Sequence, residues 1–281
     1  MHVTADLHIH STASDGDLTP GALVELAAAK GLAAISLTDH DTLSGARTAL
    51  EFARRHSVRI IPGIEISAEY ERGMLHILGY FPSFPEGLED ALAQVQEARR
   101  NRLPRIIAKL NSLGIMIAEA DVIRIAGDAQ IGRPHIAKAL LKKGYVRTFD
   151  EAFLEYLGKG KRAYVEKEKM TWQKAVSLIG RHGGLPVLAH PSTLGLTDTG
   201  LKDFIGELSG AGLAGIEVHY PDHSREHITL YDRIARESGL VITGGTDFHG
   251  PGRNEVSPGD HGIDSDLLRI FSHRLGMPGI C

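Results

Sequence analysis

Apolar and polar side chains alternate over residues 3–9 with the period of a strand, and the run continues into a polar stretch, DLHIHSTASDG at 6–16. A helix is expected over 20–30 (PGALVELAAAK), with Thr19 as its cap, Pro20 in its first turn and Gly31 past its end. AAISLTDH (33–40) reads as a buried strand with a polar end, 43–56 as a helix, and VRIIPGIEIS (58–67) as a third strand. MLHILGYF (74–81) reads as a fourth strand, paired with the third through a turn at Arg72-Gly73. From 86 to 160 the period becomes helical, as in LEDALAQVQEARRNRLPRIIAKLNSLG, with a break expected at Pro104, and in RPHIAKALLKKG. Alternation then returns: helices at 171–182, 200–210 and 223–238, strands at 185–189, 213–218 and 239–243. Repeated β-α units predict an α/β fold with a mainly parallel sheet, open or closed into a barrel. Residues 1–85 and 161–281 would form its body, and 86–160 a helical insertion.

Most of the predicted strands end in His, Asp or Glu. They are His8 and His10, Asp39 and His40, Glu65, His76 within its strand, His190, Glu217 and His219, and Asp247 and His249. His8 and His10 share one face of their strand, and Asp6 falls on it too. Taken singly, each is ordinary polarity on a strand. Taken together they are not, because the carboxyl ends of parallel strands gather on one face. Burying that many unpaired polar groups costs several kcal/mol each unless cations compensate. The sole cysteine is Cys281, so thiolate zinc sites, iron–sulfur clusters and disulfides are excluded. Imidazole and carboxylate suit Mn²⁺, Fe²⁺ or Zn²⁺, and the number of candidate ligands suits two or three ions.

Charge divides the chain in two. Residues 98–170 hold 16 Lys and Arg against 8 Asp and Glu, whereas the remainder holds 15 against 27. A basic segment beside an acidic, histidine-rich body fits an anionic substrate held near cations. Hydrophobic residues at 42% and charged residues at 23% are ordinary for a globular chain. No basic-then-apolar leader and no apolar span is visible, so no membrane partner and a cytoplasmic location are expected.

The set HIH, STASDG, LTDHDT, GIEIS, LHILGY, AHP, GIEV and TDFHG, in this order over 6–81 and 186–250, resembles the polymerase-and-histidinol-phosphatase (PHP) family of metal-dependent phosphoesterases. The resemblance implies a distorted seven-stranded β/α barrel with a trinuclear metal centre, Mn²⁺ being the first expectation. It implies one ion on His8, His10, Glu65 and Asp247, a second on Asp15, His40 and His249, and a third on His76 and His190 with Glu65 shared. Position 15 is His or Asp in the family. A helical insertion after LHILGY, with IGRPHIAKAL and GIEVHYPDHS, resembles a subgroup that acts on 3′,5′-nucleoside bisphosphates, some members trimming RNA from its 5′ end. His219 departs from it, standing where an aromatic residue is expected.

The expected chemistry is attack on phosphorus by a hydroxide that bridges metal ions, with no protein nucleophile. Arg133 and His135 open a predicted helix, where backbone donors and an Arg fork suit a phosphate. His223 is a further substrate contact, and Arg99 and Arg102 are weaker ones. Asp39 and Glu217 are candidates to orient ligand histidines, and Asp6 to support the strand. His182, His227, His261 and His273 have no spacing that argues for a role. The insertion has few aromatics, so a nucleotide or RNA end is expected rather than duplex DNA. A histidinol-phosphate phosphatase, a C–N-hydrolysing amidohydrolase and a non-catalytic module attached to a polymerase are the alternatives.

Overall fold

The computed structural model describes residues 2–127, 129, 131–166, 169–251 and 256–279, with every side chain among them except those at 94 and 98–100. Among the described residues, nine strands fall into two sheets. β1 (Ala5–Ile9), β2 (Ala34–Leu37) and β3 (Arg59–Ile60) form a parallel sheet in that order. The second sheet contains β4 (Gly63–Glu69), β5 (Leu75–Tyr80), β6 (Met170–Thr171), β7 (Leu185–Leu188), β8 (Gly215–His219) and β9 (Val241–Gly244). Its order is β6-β4-β5-β7-β8-β9, with β5 antiparallel to both neighbours and the other pairs parallel. The expected hairpin of the third and fourth strands is the β4–β5 pair.

The two sheets are stitched together at both edges. A parallel bridge joins Ile9 to Phe248, with the Asp247 N–H donating to His8 O (2.8 Å) and the His10 N–H to Phe248 O (2.9 Å). A second parallel bridge joins His40 to Glu65. The strand expected over 58–67 is interrupted at Ile61-Pro62, and a proline has no N–H for a ladder. Both pieces still run beside β2: β3 pairs with Ala34 and Ile35, and Glu65 of β4 reaches His40.

Helices cover this framework: α1 (Pro20–Ala29), α2 (Ser44–Ala53), α3 (Leu88–Ser112), α4 (Glu119–Ala126), α5 (Arg133–Lys142), α6 (Phe149–Ala152), α7 (Trp172–Arg181), α8 (Asp198–Gly210), α9 (Arg225–Glu237) and α10 (Ser265–Arg274). Thr19 caps α1 as expected, accepting from the Ala22 N–H. α10 was not among the expected elements. Its signals are the Asp264 cap, which accepts from the Leu267 N–H, and the apolar stripe Leu268, Phe271, Leu275. That stripe joins Ala5, Leu7, Ala34, Leu78, Val187 and Val241 in one core drawing on both sheets. No described helix is long and apolar enough to cross a membrane.

Helices α3 to α6 enclose a core of their own, from Leu103 on α3 to Val165. It includes Ala163 and Val165, so the helical unit extends past the expected limit at 160. Pro104 does not break α3, which runs unbroken for 25 residues. The lost i→i−4 bond is tolerated because Leu103, Ile106, Ile107 and Leu110 around it are buried in that core. The root of α3 belongs to the strand body, with Leu88 and Leu92 in its main core. Three further contacts hold the helices over the strand ends: Gln96 Nε2 donates to Asp41 O (3.0 Å), Lys159 Nζ to Glu71 O (3.3 Å), and Lys138 pairs with Asp17.

A separate core makes a separate prediction. Leu110→Ala should cost about 3 kcal/mol, the usual loss for truncating a fully buried leucine. Hydrogen exchange should show protection lost mainly over 88–165, with strand amides of β1 and β4 retained. Equal loss in both would mean that the two cores open as one.

Candidate metal centre

Glu65 is the hub. It lies on β4 at the seam with β2, and its carboxylate is buried. Five imidazoles face it: His76 Nδ1 at 2.7 Å, His40 Nδ1 at 3.0 Å, His190 Nε2 at 3.1 Å, His10 Nε2 at 3.3 Å and His8 Nε2 at 3.5 Å. The other seam delivers Asp247, whose Oδ1 lies 3.1 Å from His10 Nε2 and 3.2 Å from His8 Nε2. Gly245, two residues earlier, makes that approach possible: a Cβ there would lie 2.4 Å from both the Cβ and the backbone N of His8. Asp15 reaches in from the loop after β1, its Oδ1 3.4 Å from His249 Nε2 and 3.7 Å from His10 Nδ1.

The nine expected ligands thus converge, as three overlapping groups. These are His8–His10–Glu65–Asp247, His10–Asp15–His40–His249 and His40–Glu65–His76. His190 stands beside Glu65. Glu65, His10 and His40 each belong to two of these groups.

Proton accounting shows why these groups suit cations. His8 Nδ1 lies 2.9 Å from Glu217 Oε1, and a carboxylate only accepts, so Nδ1 carries a hydrogen and Nε2 is the nitrogen turned inward. His249 Nδ1 likewise donates to Asp247 O (2.8 Å), which directs its Nε2 toward Asp15 Oδ1. Ring nitrogens therefore face carboxylate oxygens. Asp15 Oδ1 and Asp247 Oδ1 are buried without a hydrogen-bond partner. Ligand atoms about 2.1 Å from one ion sit about 3.0 Å apart in octahedral and about 3.4 Å apart in tetrahedral geometry. The observed spacings match, so the residues fit divalent metals.

Electrostatics agree. Burial alone would raise the carboxyl pKa of Glu65, but His76, His40 and His8 outweigh it and hold the group well below the usual range. Burial is likewise overcome at Asp247 by His8 and His249. Burial opposes charge on His10, yet Asp247 and Glu65 push it up to about 10. The carboxylates demand positive charge among the imidazoles, and a metal ion can supply it. The backbone is strained at the same place. His190 (φ 26°) and Asp247 (φ 50°) adopt the left-handed region that non-glycine residues avoid, as does Asp41 (φ 56°) next to His40.

A second ring of carboxylates holds these side chains. Glu217 bonds His8 and accepts the His190 N–H (2.8 Å). Asp39 accepts from the Ser11 N–H (2.8 Å), Ser11 Oγ (2.7 Å) and Ser14 Oγ (2.6 Å), shaping the loop that carries Asp15. Asp6 accepts from the N–H groups of His8, Thr246 and Gly259 and from Thr246 Oγ1 (2.7 Å), tying β1 to the Asp247 segment. Burial pushes its carboxyl up to about 6 against these bonds. Tyr220 was missed by sequence reasoning. It lies one residue past β8, and its Oη donates to Asp247 Oδ2 (3.2 Å).

One cavity joins the cluster to the helical unit. Asp15, His40 and His76 line one side, and Arg102, Arg133 and Lys169 line it from the helical side. Burial holds the Lys169 ammonium below its usual range, with Arg133, Lys159 and Arg102 acting in the same direction and Glu166 against them. Arg133 opens α5 as expected. His135 does not line the cavity; it is buried and its Nδ1 accepts the Gly132 N–H (3.0 Å), capping α5. His223 is buried near His190 and Tyr220, with Nδ1 donating to Val218 O (2.9 Å) and Nε2 unpartnered. Burial lowers its pKa. The side chain of Arg99 lies outside the described residues. His219 ends β8 against Gly244, apart from the three groups. His182 and His227 serve helix ends, and His273 is exposed in the last turn of α10.

Comparison with known proteins places this geometry. Over 250 residues the chain is 34% identical to the 3′,5′-nucleoside bisphosphate phosphatase of Chromobacterium violaceum, covering 88% of this chain and 87% of that protein. Over 247 residues it is 35% identical to the 5′-3′ exoribonuclease of Haemophilus influenzae, covering 88% and 90%. The crystal structure of a candidate metal-dependent phosphoesterase from Bifidobacterium adolescentis superposes with a TM-score of 0.87 at 29% identity, covering 96% of each chain. The PHP domain pattern matches residues 6–182, more than half of the sequence, and the chain belongs to the PHP domain family.

Proposed function

We propose that this chain is a metal-dependent phosphoester hydrolase whose substrate is the 3′-phosphate of a 3′,5′-nucleoside bisphosphate. The observation that carries the reading is one cavity with a buried imidazole–carboxylate cluster on one side and cations on the other. His8, His10, Glu65 and Asp247 would hold one ion, Asp15, His40 and His249 a second, and His76 and His190 a third with Glu65 shared. Mn²⁺ is the first expectation, ahead of Fe²⁺ or Zn²⁺. Bound there, such ions would make water nucleophilic near neutral pH and neutralise charge developing on the phosphate.

The chain's own groups do the positioning. Glu217 keeps His8 Nε2 aimed inward, and Tyr220 fixes the second oxygen of Asp247. Arg133 meets the substrate from the helical side. His135 holds the turn from which Arg133 projects. His223 presents a neutral Nε2 lone pair, which repels a phosphate dianion and accepts from a hydroxyl. We therefore assign it to a substrate hydroxyl rather than to phosphate.

We also read β1, β2, β4, β5, β7, β8 and β9 as the wall of a distorted seven-stranded barrel. The bridges at Ile9–Phe248 and His40–Glu65 support this, with β3 and β6 as two-residue extensions. A cytoplasmic location follows from nucleotide substrates. Removal of nucleotides from an RNA 5′ end by the same centre is the second reading, favoured by the similarity to the exoribonuclease.

Phosphate release from adenosine 3′,5′-bisphosphate and nucleotide release from 5′-phosphorylated RNA, each with Mn²⁺, separate the two readings. Chelation should abolish turnover and Mn²⁺ should restore it. His8→Ala and Asp247→Ala should reduce it to background with circular dichroism unchanged; retained activity would refute the ligand assignment. Elemental analysis should find two or three divalent ions per chain, fewer than two being incompatible with the cluster. Mn²⁺ should raise Tm by several degrees, since ligand at a hundred times its Kd adds about 2.7 kcal/mol. Glu217→Gln should weaken metal affinity about 10- to 100-fold, the usual effect of losing a carboxylate behind a ligand histidine.

A further inference from the structure

We infer that Tyr70, Trp172 and Phe204 form a base-stacking subsite for the nucleotide that follows the scissile phosphate of an RNA. The inference rests on the phosphoesterase reading above and deepens its second form, in which RNA is the substrate. The three rings come from separate places in the chain: the residue after β4, the first residue of α7, and the middle of α8. They meet at a second cavity of about 350 Å³, which Glu69, Arg72 and Thr171 also line. Sites for small ligands span about 300–1,000 Å³.

Strand register places this cavity beside the cluster. Glu65, Ser67 and Glu69 fall on one face of β4, because side chains alternate along a strand. Glu65 is the hub, Ser67 lines the cavity of Asp15, His40 and His76, and Glu69 lines the aromatic one. The neighbouring chain repeats the step: Thr171 lies opposite Glu69 in the aromatic cavity, and Lys169, two residues earlier, lines the cluster cavity. Between β4 and β5 the exposed Met74 lines the cluster cavity, and Arg72, two residues before it, lines the aromatic one. The two cavities are therefore neighbours, one strand repeat of about 7 Å apart along β4.

The rings are held in place. Phe204 touches both others, 5.4 Å from Tyr70 at an interplanar angle of 31° and 5.6 Å from Trp172, edge to face at 84°. All three are half-buried and pack against the main core, so part of each ring stays open to the cavity. Aromatic walls suit a flat aromatic ligand, and every nucleobase has a π-face to offer them. Glu69 and Glu71 are exposed at the rim, where carboxylates can accept from the amino group of a base. Arg72, and Lys159 donating to Glu71 O (3.3 Å), offset their charge beside an RNA backbone. A 3′,5′-nucleoside bisphosphate ends at the phosphate on the cluster. An RNA continues past it, and its next base comes within reach of the rings. The subsite therefore distinguishes a chain from a bisphosphate.

The test compares a 5′-phosphorylated adenylate dinucleotide with adenosine 3′,5′-bisphosphate in the Mn²⁺-loaded protein. Trp172→Leu and Phe204→Leu should each lower kcat/KM for the dinucleotide about 5- to 100-fold, mainly through KM, the usual loss of one base–aromatic stack. Trp172→Phe should retain most of it. Turnover of the bisphosphate should stay at the wild-type level in all three, which also shows that they fold. Equal losses on both substrates, or no loss on the dinucleotide, would overturn the subsite. A second arm needs no turnover. Trp172 is the only tryptophan of the chain, so its fluorescence reports on this cavity directly. In chelator-treated protein the dinucleotide should quench it, and the same molecule with an abasic second residue should quench it far less; equal quenching would overturn the proposal. Quenching by a lysine-rich peptide and not by the dinucleotide would overturn it too, assigning the rings and carboxylates to a cationic partner. If wild type hydrolyses neither substrate while quenching still requires the second base, the phosphoesterase reading fails and the stacking subsite stands.

Discussion

One buried carboxylate facing five imidazoles is the constraint on which the rest of the site depends. Glu65 accepts what His8, His10, His40, His76 and His190 offer, yet His8 already gives its Nδ1 hydrogen to Glu217. Inward-facing imidazoles and buried carboxylates then crowd one volume. Removing such groups from water is costly unless positive charge joins them. The depressed carboxyls of Glu65 and Asp247 and the raised His10 express that demand. Metal affinity here is stored in the fold, as a cluster that is costly without cations.

The fold meets that constraint by building the cluster at its seams. Glu65 sits where β2 meets β4, and Asp247 where β1 meets the segment after β9. Strands within a sheet are held by continuous ladders, whereas at a seam a single bridge leaves side chains from two sheets converging. The close contact of Gly245 with His8 and the left-handed backbones of His190 and Asp247 belong to the same design. Asp6, Asp39 and Glu217 accept from the backbone beside the clustered side chains and hold it in place. Strain at one point is carried by several bonds around it.

The helical unit adds what the strands lack. Its own core lets it present Arg102, Arg133 and Lys169 toward the cluster without drawing on the packing of the strand body. α3 links the two, with Leu88 and Leu92 in one core and Leu103 to Leu110 in the other. α5 begins at the cavity with Arg133 and, through Lys138, pairs with Asp17 two residues after Asp15. The cationic wall is thus tied mechanically to the loop that carries Asp15.

Much of this was legible in the sequence because local periodicity fixes direction. Alternation puts His8 and His10 on one face, and the strand-end positions of His40, His190 and Asp247 put them at one end of the fold, whatever else the chain does. The helix starts at Thr19 and Arg133 were legible for the same reason. Distances between residues remote in sequence were not, because they depend on how the elements pack. Only the tertiary structure decided that His10 and His40 are shared between groups and that Asp6 bridges β1 to the loop of Asp247. It also decided that α3 passes through Pro104 and that His135 caps a helix while Arg102 and Lys169 reach the cavity. Residue type and spacing determined which groups can bind metal and phosphate; long-range packing determined which of them meet.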